Sequence, residues 1–396
     1  MRLNARRLLN GLAGLLLLLG LVACTQVASP PPPGQTRPVA WGYVAWWVPQ
    51  AWINAPLNRM ERVLFFEIRM ERDGSVRDMH GWPGAFPELR ALVQQHRIPL
   101  DLTLTLHDLG DFNSLFRSAE AIARFLGVAE RLASDPGVSG VQLDVEIYEH
   151  PDQNALVAFR RFTAELGDRL AAMKPPRVLS VFLPIGAEQQ IYDRDSLRRV
   201  GYAVLQGYDA HWQGSPTSGP IAPLTGPWRM TWGKALTEAA RLGLDKKRIL
   251  MGYPLYGYQW SMRQRGLYAQ TSGPGEVVTL APQLQRPGNK PTDNVRDKIK
   301  QHGCGRDPYI ASSFYEYQKP DGQWVTGWFE GPADLDRKHR FLMDQGVRGT
   351  AFFALGYDGY VLVDRFVGRN DRLAAGGPLD VGGNETCSGC GLGCGS

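Results

Sequence analysis

The stretch SGVQLDVE, residues 139–146, alternates Val141, Leu143 and Val145 with Gln142, Asp144 and Glu146. Successive side chains of a strand point to opposite faces, so three apolar residues share one face and an amide with two carboxylates shares the other. A solvated surface strand satisfies this pattern as readily as a strand whose polar side lines a functional interior. The surrounding chain has to decide.

Seven further runs have the same strand character: 39–46, 62–68, 98–106, 177–184, 202–209, 248–257 and 349–358. Between them lie amphipathic stretches. In 154–173, Leu156, Phe159, Leu166, Leu170 and Met173 recur at helical spacing, and Pro175-Pro176 closes the segment. Similar spacing predicts helices over 86–96, 118–133, 228–242 and 333–345, with Ser118 as a starter and Gly346 after an end. Eight strand and helix units in about 330 residues argue for a closed (β/α)8 TIM barrel. The rival, an open doubly wound sheet, lacks a glycine-rich phosphate loop after its first strand. The long interval 258–348 contains SSFYEYQKPDGQWVTGWFE (312–330), two aromatic runs flanking a PDG turn. It reads as a small α+β insertion between strands 7 and 8, standing over the C-terminal face of the barrel.

Residues 1–23 carry Arg2, Arg6 and Arg7, then a leucine-rich run from Leu8 to Val22, and end at Ala23 before Cys24. A charged region followed by an apolar one is the pattern of an export signal. The Ala23-Cys24 junction resembles a bacterial lipobox, which implies cleavage before Cys24 and its lipidation. A plain secretory signal or a membrane anchor are the alternatives, although the run is short for a spanning helix. Removing three arginines and no acids takes the formal net charge from +5 to +2, a balance that does not point to nucleic acid. Residues 24–38 include Pro30 to Pro33, an extended spacer between anchor and domain. Thr25 after the cysteine resembles lipoproteins sorted to the outer membrane, so the expected location is the bacterial cell envelope, on its periplasmic or surface face. The globular domain is expected over 39–373. The glycine-rich tail 374–396 holds Cys387, Cys390 and Cys394, and with Cys304 these invite disulfides in an oxidising compartment, with a metal or a flexible tail as alternatives.

In a (β/α)8 barrel reactive groups sit at the C-terminal ends of strands. Glu146 ends the fourth, Tyr208 and Asp209 the sixth and Tyr256 the seventh. Two inward acids are costly in a core unless paired or functional. A satisfied ion pair and a catalytic pair both fit.

GVQLDVE resembles the D-x-x-D-x-D-x-E signature of glycoside hydrolase family 18, the chitinase-like barrels, with Asp144 and Glu146 on its last two acids. QGYDAHW (206–212), RILMGYPLYGYQW (248–260) and 328–358 resemble further blocks of that family in order and spacing. The resemblance implies a cofactor-free and metal-free hydrolysis of β-linked N-acetylglucosamine polysaccharide, with the substrate's own acetamide as nucleophile and retention at the anomeric carbon. It implies Glu146 as general acid and base, Asp144 as the partner of the acetamide N–H and Tyr208 as the holder of the acetamide oxygen. Asp209, Gln142, Tyr43, Tyr256, Trp212 and Phe353 would bind the sugar. The pattern departs from the family at Ser139 and Gln142, where acids are usual, at LTLHDLGDF on the third strand, and at Phe353, which replaces a tryptophan. Gln142 can hydrogen-bond Asp144 but cannot hold a titrating proton. Trp46, Trp47 and Trp260 can stack on sugars or simply pack.

Two other readings remain open. One is a non-catalytic, lectin-like barrel, against which stands the presence of Glu146. The other is a metal-dependent hydrolase using His107, Asp108 and His211, although these lack a paired-histidine motif and isolated polar roles suit His107, His150 and His211 better.

Overall fold

The computed structural model describes residues 37–48, 52–281, 292–374 and 387. The expected leader at 1–23, Cys24, the proline run, Cys390 and Cys394 lie outside the described residues. Among these residues no helix is long and apolar enough to cross a membrane.

Eight parallel strands form a closed barrel: β1 (Val39–Ala45), β2 (Arg62–Met70), β3 (Leu100–Leu106), β4 (Gly140–Val145), β5 (Val178–Leu183), β6 (Tyr202–Leu205), β7 (Ile249–Pro254) and β8 (Gly349–Phe353). Each bonds to its successor, and β8 returns to β1. All eight are strands that the sequence predicts. A short strand, Val76–Asp78, adds to the end of β2 in antiparallel sense.

Local chemistry sets the helices. Asp108, Ser118 and Asp152 each accept a bond from the backbone N–H three residues on, starting the helices Leu109–Phe116, Ala119–Ala133 and Gln153–Ala172. Each supplies an acceptor to a helix end whose first amides lack partners. Gly346, at φ +66°, ends Pro332–Gln345 in the left-handed conformation that glycine adopts without steric cost.

The two faces of β4 enter two different cores. Val141, Leu143 and Val145 join the large core between strands and helices, which includes Phe159, Leu166 and Leu170. Inside the barrel a separate cluster holds Trp41, Tyr43, Leu64, Phe66, Phe182, Val204, Leu250 and Ala351. The opening stretch is therefore an inner barrel strand and not a surface one. The first residue of β4 must be glycine, because a Cβ at Gly140 would lie 2.4 Å from the Val178 carbonyl oxygen and 2.8 Å from Asp101 Oδ1.

Between β7 and β8 a six-stranded sheet runs in the order 293–294, 276–279, 256–262, 324–329, 312–318, 305–307. The runs flanking the PDG turn are its hairpin, Ser312–Gln318 with Trp324–Phe329. The helix Pro332–Gln345, inside the expected 258–348 interval, instead leads back to β8 as a barrel helix. Lys338 of that helix pairs with Glu330 and donates to the Ala311 carbonyl at 2.6 Å, so buried polar bonds lock the insertion to the barrel. A disulfide joins Cys304 of the insertion to Cys387 of the tail.

Candidate active site

The C-terminal ends of the strands enclose a cavity of about 240 Å³. Tyr43, Trp47, Phe66, Asp144, Glu146, Phe182, Tyr208, Asp209 and Phe353 line it from the barrel strands and the loops that follow them. Tyr256, Tyr258 and Val277 reach in from the insertion's sheet, and Tyr357 follows β8. An aromatic box with acids on one wall is suited to a ring with apolar faces and polar edges.

The acids come from β4 and its end. Asp144 pairs with Thr105 on β3 and Phe182 on β5, and Glu146 follows two residues later. Burial first, and the charge of Asp144 second, push the Glu146 carboxyl from 4.5 up to about 7, while His107 and the Tyr148 bond pull the other way. The Tyr148 hydroxyl donates to Glu146 Oε2 at 2.6 Å. Glu146 therefore holds a proton near neutral pH, which a general acid needs. Beneath the pair, Gln142 Oε1 accepts from the Tyr43 hydroxyl at 2.9 Å and from Thr103 Oγ1 at 3.3 Å. The expected bond from Gln142 Nε2 to Asp144 does not form; the amide is oriented by the two bonds that its Oε1 accepts. Gln142 Nε2 and Asp144 Oδ1 are both buried without a partner among the described residues. Ser139 opens the same stretch and bonds through its backbone N–H to the Leu100 carbonyl at 2.7 Å.

The segments that follow β6 and β7 supply the facing wall. Asp209 adopts φ +62°, an uncommon conformation for aspartate that tends to occur at functional sites. Burial raises its carboxyl to about 6, partly offset by the bond from the Tyr256 hydroxyl at 2.7 Å. Tyr208 lies between Phe182 and Phe353, at ring distances of 6.1 and 6.2 Å. Phe353 sits edge-on to Phe66 at 5.1 Å and to Tyr43 at 5.5 Å, and all three rings line the cavity. Trp47 donates from its indole to the Tyr357 hydroxyl at 2.7 Å.

Some expectations need correction. Trp212 does not line this cavity. It stands 56% exposed, and its ring lies against Gly214, where a Cβ would come within 2.4 Å of it. The reason is the turn after Asp209, in which the Trp212 N–H bonds Ser215 Oγ at 2.9 Å. Trp260 is wholly buried and Trp46 stacks on His80 at 4.1 Å, so both pack away from the cavity. His107, Asp108 and His211 do not converge: Asp108 caps a helix, and His211 Nδ1 lies 2.9 Å from the Pro220 carbonyl oxygen.

His107 is instead gathered with Asp144 and Glu146, its Nε2 lying 3.7 Å from a carboxylate oxygen of each. The ligand atoms of these three residues lie within 4.8 Å of one another. Burial favours neutral His107, but pairing with Asp144 and the charges of Glu146 and Glu67 outweigh it and raise its pKa to about 9. A protonated imidazole offers two N–H donors and no lone pair, so in that state the trio is an ion-pair network.

Sequence reasoning missed Phe66, which lies in the middle of β2, and Phe182, which lies next to the C-terminal end of β5, where reactive groups gather. Tyr148, two residues past Glu146, was within reach of the same logic. Tyr258 and Val277 carried no local signal, because the insertion's own sheet delivers them.

The chain is 21% identical over 309 residues to a cortical fragment-lytic enzyme of Bacillus anthracis, covering 74% of this chain and 64% of the relative. It is 22% identical over 266 residues to di-N-acetylchitobiase of Rattus norvegicus, covering 65% and 69%. Among solved structures, the chitinase-like agglutinin of Robinia pseudoacacia matches with a TM-score of 0.68 at 15% identity, covering 83% of this chain and 98% of that one. The chain spans between 47% and 64% of the length of the Bacillus relatives it matches. Residues 41–358, most of the described barrel and its insertion, match the profile of Glycosyl hydrolases family 18, and the chain belongs to that family.

Proposed function

We propose that this protein is a glycoside hydrolase that cleaves a β-linked polysaccharide containing N-acetylglucosamine, with retention and through the substrate's own acetamide group. The observation that carries the reading is Glu146, raised to about 7 beside Asp144 at the floor of an aromatic cavity. Glu146 gives its proton to the glycosidic oxygen as the bond from that oxygen to the anomeric carbon breaks. The acetamide oxygen bonds to the same carbon, forming an oxazolinium ion. Asp144 accepts the acetamide N–H and balances the positive charge, while the Tyr208 hydroxyl orients the acetamide oxygen. Glu146, now a carboxylate, takes a proton from water as the water opens the ring from the same face. No step requires a metal or cofactor.

The family, together with relatives named for cortical fragments and for chitobiose, supports a GlcNAc-containing glycan. An agglutinin shares the fold, so the barrel alone does not separate hydrolysis from binding. The retained Glu146 and Asp144 favour hydrolysis. We place the protein in the cell envelope, anchored through a lipid on Cys24 and acting on peptidoglycan or an N-acetylglucosamine exopolysaccharide. Palmitate labelling of the wild type, absent in Cys24→Ser, tests the anchor. The activity is tested by incubating the protein and Glu146→Gln with peptidoglycan, chitooligosaccharides and poly-N-acetylglucosamine. Release of reducing ends by the wild type and not by the variant is expected. Binding without release by the wild type would mark a lectin.

A further inference from the structure

The polar floor of the site has a charge problem. Asp144 and Glu146 project into one cavity, and the residue beneath them, Gln142, is neutral and makes no bond to either. Two carboxylates that share a low-dielectric site oppose each other's ionisation, and a buried anion without a counter-charge is costly.

The balancing group is on the adjacent strand. The register pairs Thr105 with Asp144 and Leu106 with Val145, which sets His107, the next residue after β3, level with Glu146. His107 Nε2 is 3.7 Å from Asp144 Oδ2 and 3.7 Å from Glu146 Oε1. Other titrating groups surround the trio. Glu67, from β2, accepts from Thr105 Oγ1 and lies 3.7 Å from His80 Nε2. Tyr148 and Asp209 act on Glu146 from the loop after β4 and the end of β6. Of the charged groups acting most strongly on Glu146, namely Asp144, His107 and Asp209, His107 alone is a cation.

We infer that His107, as an imidazolium, is a positioning residue for glycan hydrolysis: it neutralises Asp144 from the side, holds that carboxylate toward Glu146, and leaves the shared proton on Glu146. The inference rests on the glycosidase reading of Asp144 and Glu146. In this state the trio is neutral in sum, with one cation, one anion and one acid, which is the arrangement least costly to bury. His107 neither gives nor takes the proton that moves during cleavage. The elevated pKa of His107, about 9, accords with a cation held in place by two acids. The side chain is 42% exposed, so replacing it leaves the core packing intact.

The test uses the full chain, with histidine-selective NMR titration and kcat/KM profiles against pH for the wild type, His107→Gln and His107→Lys. His107 of the wild type should titrate near 9. Loss of the cation in His107→Gln should move both limbs of the profile toward alkaline pH by about 1 unit, as expected for a charge within contact distance of the pair. His107→Lys should restore the wild-type limbs. An imidazole titrating at or below 6.5, or a His107→Gln profile that falls in height with unmoved limbs, would overturn the inference. If the imidazole titrates near 9 while the wild type cleaves no glycan, the ion pair stands and the glycosidase reading fails. If glycan is cleaved while the imidazole is ordinary, the inference alone fails.

Discussion

Asp101 and Asp144 sit on neighbouring strands inside one barrel, yet their surroundings differ in kind. Asp101 lies opposite Gly140, near the start of β4, and is wholly buried against Arg62. The guanidinium in turn lies 5.2 Å from the Trp41 ring and 5.8 Å from the Tyr202 ring. One acid meets one cation, and the site is closed. At the other end Asp144 and Glu146 share a single imidazole and open into a cavity. The lower group has one cation for one acid, whereas the upper has one cation for two acids, and there burial together with the charge of Asp144 raises Glu146 to about 7.

The largest effect expected from disturbing this contrast is at the top. Glu146→Gln should lower hydrolysis by about 10³-fold, the range for a general acid. It should also change how stability depends on pH. The Glu146 pKa rises from 4.5 to about 7 on folding, so its contribution to stability is complete below 4.5 and is lost as pH rises through 7. Glutamine does not titrate. Urea unfolding should show the variant gaining about 2 kcal/mol on the wild type between pH 4.5 and pH 8, a value discounted for the partial exposure of the carboxyl.

At the bottom, Arg62→Met should cost about 3 kcal/mol of stability by leaving Asp101 buried and unpaired, with activity per folded molecule retained. Loss of activity without loss of stability would erase the distinction between the two ends. A smaller change tests the floor of the site. Gln142→Asp adds an acid beside Tyr43 and Thr103, and should shift the pH–rate profile toward alkaline pH by about 1 unit through like-charge repulsion. The smallest effect is expected for Trp212→Ala, whose exposed ring lies off the cavity: stability should change by less than about 0.5 kcal/mol and the rate on short glycans should hold.

The barrel was legible because each strand carries its own apolar run and each long helix its own spacing and cap. Asp144, Glu146, Tyr208, Asp209 and Tyr256 were legible for a related reason, since they lie at or just beyond the C-terminal ends of strands that must face the same cleft. His107 was not. It reads as an isolated polar residue along the chain, and acquires two acidic neighbours only through the β3 to β4 register. Trp212 misled in the opposite direction, because a left-handed residue three positions earlier turns the chain away from the strand direction. Tyr258 and Val277 depend on how a separate sheet docks, which no local pattern encodes.

The Cys304–Cys387 bond closes a covalent ring with a sequence separation of 83 residues. That ring contains the outer hairpin of the insertion, the helix Pro332–Gln345, β8 and the final helix Val361–Ala374. Closing so long a loop removes about 4 kcal/mol of chain entropy from the unfolded state. Such bonds persist where thiols are not kept reduced, as the envelope location proposed above would require. The bond is thus a clasp on the insertion: it ties Cys304, beside the edge strand 305–307 of the sheet that also carries Tyr258, to a residue that follows the final helix in sequence.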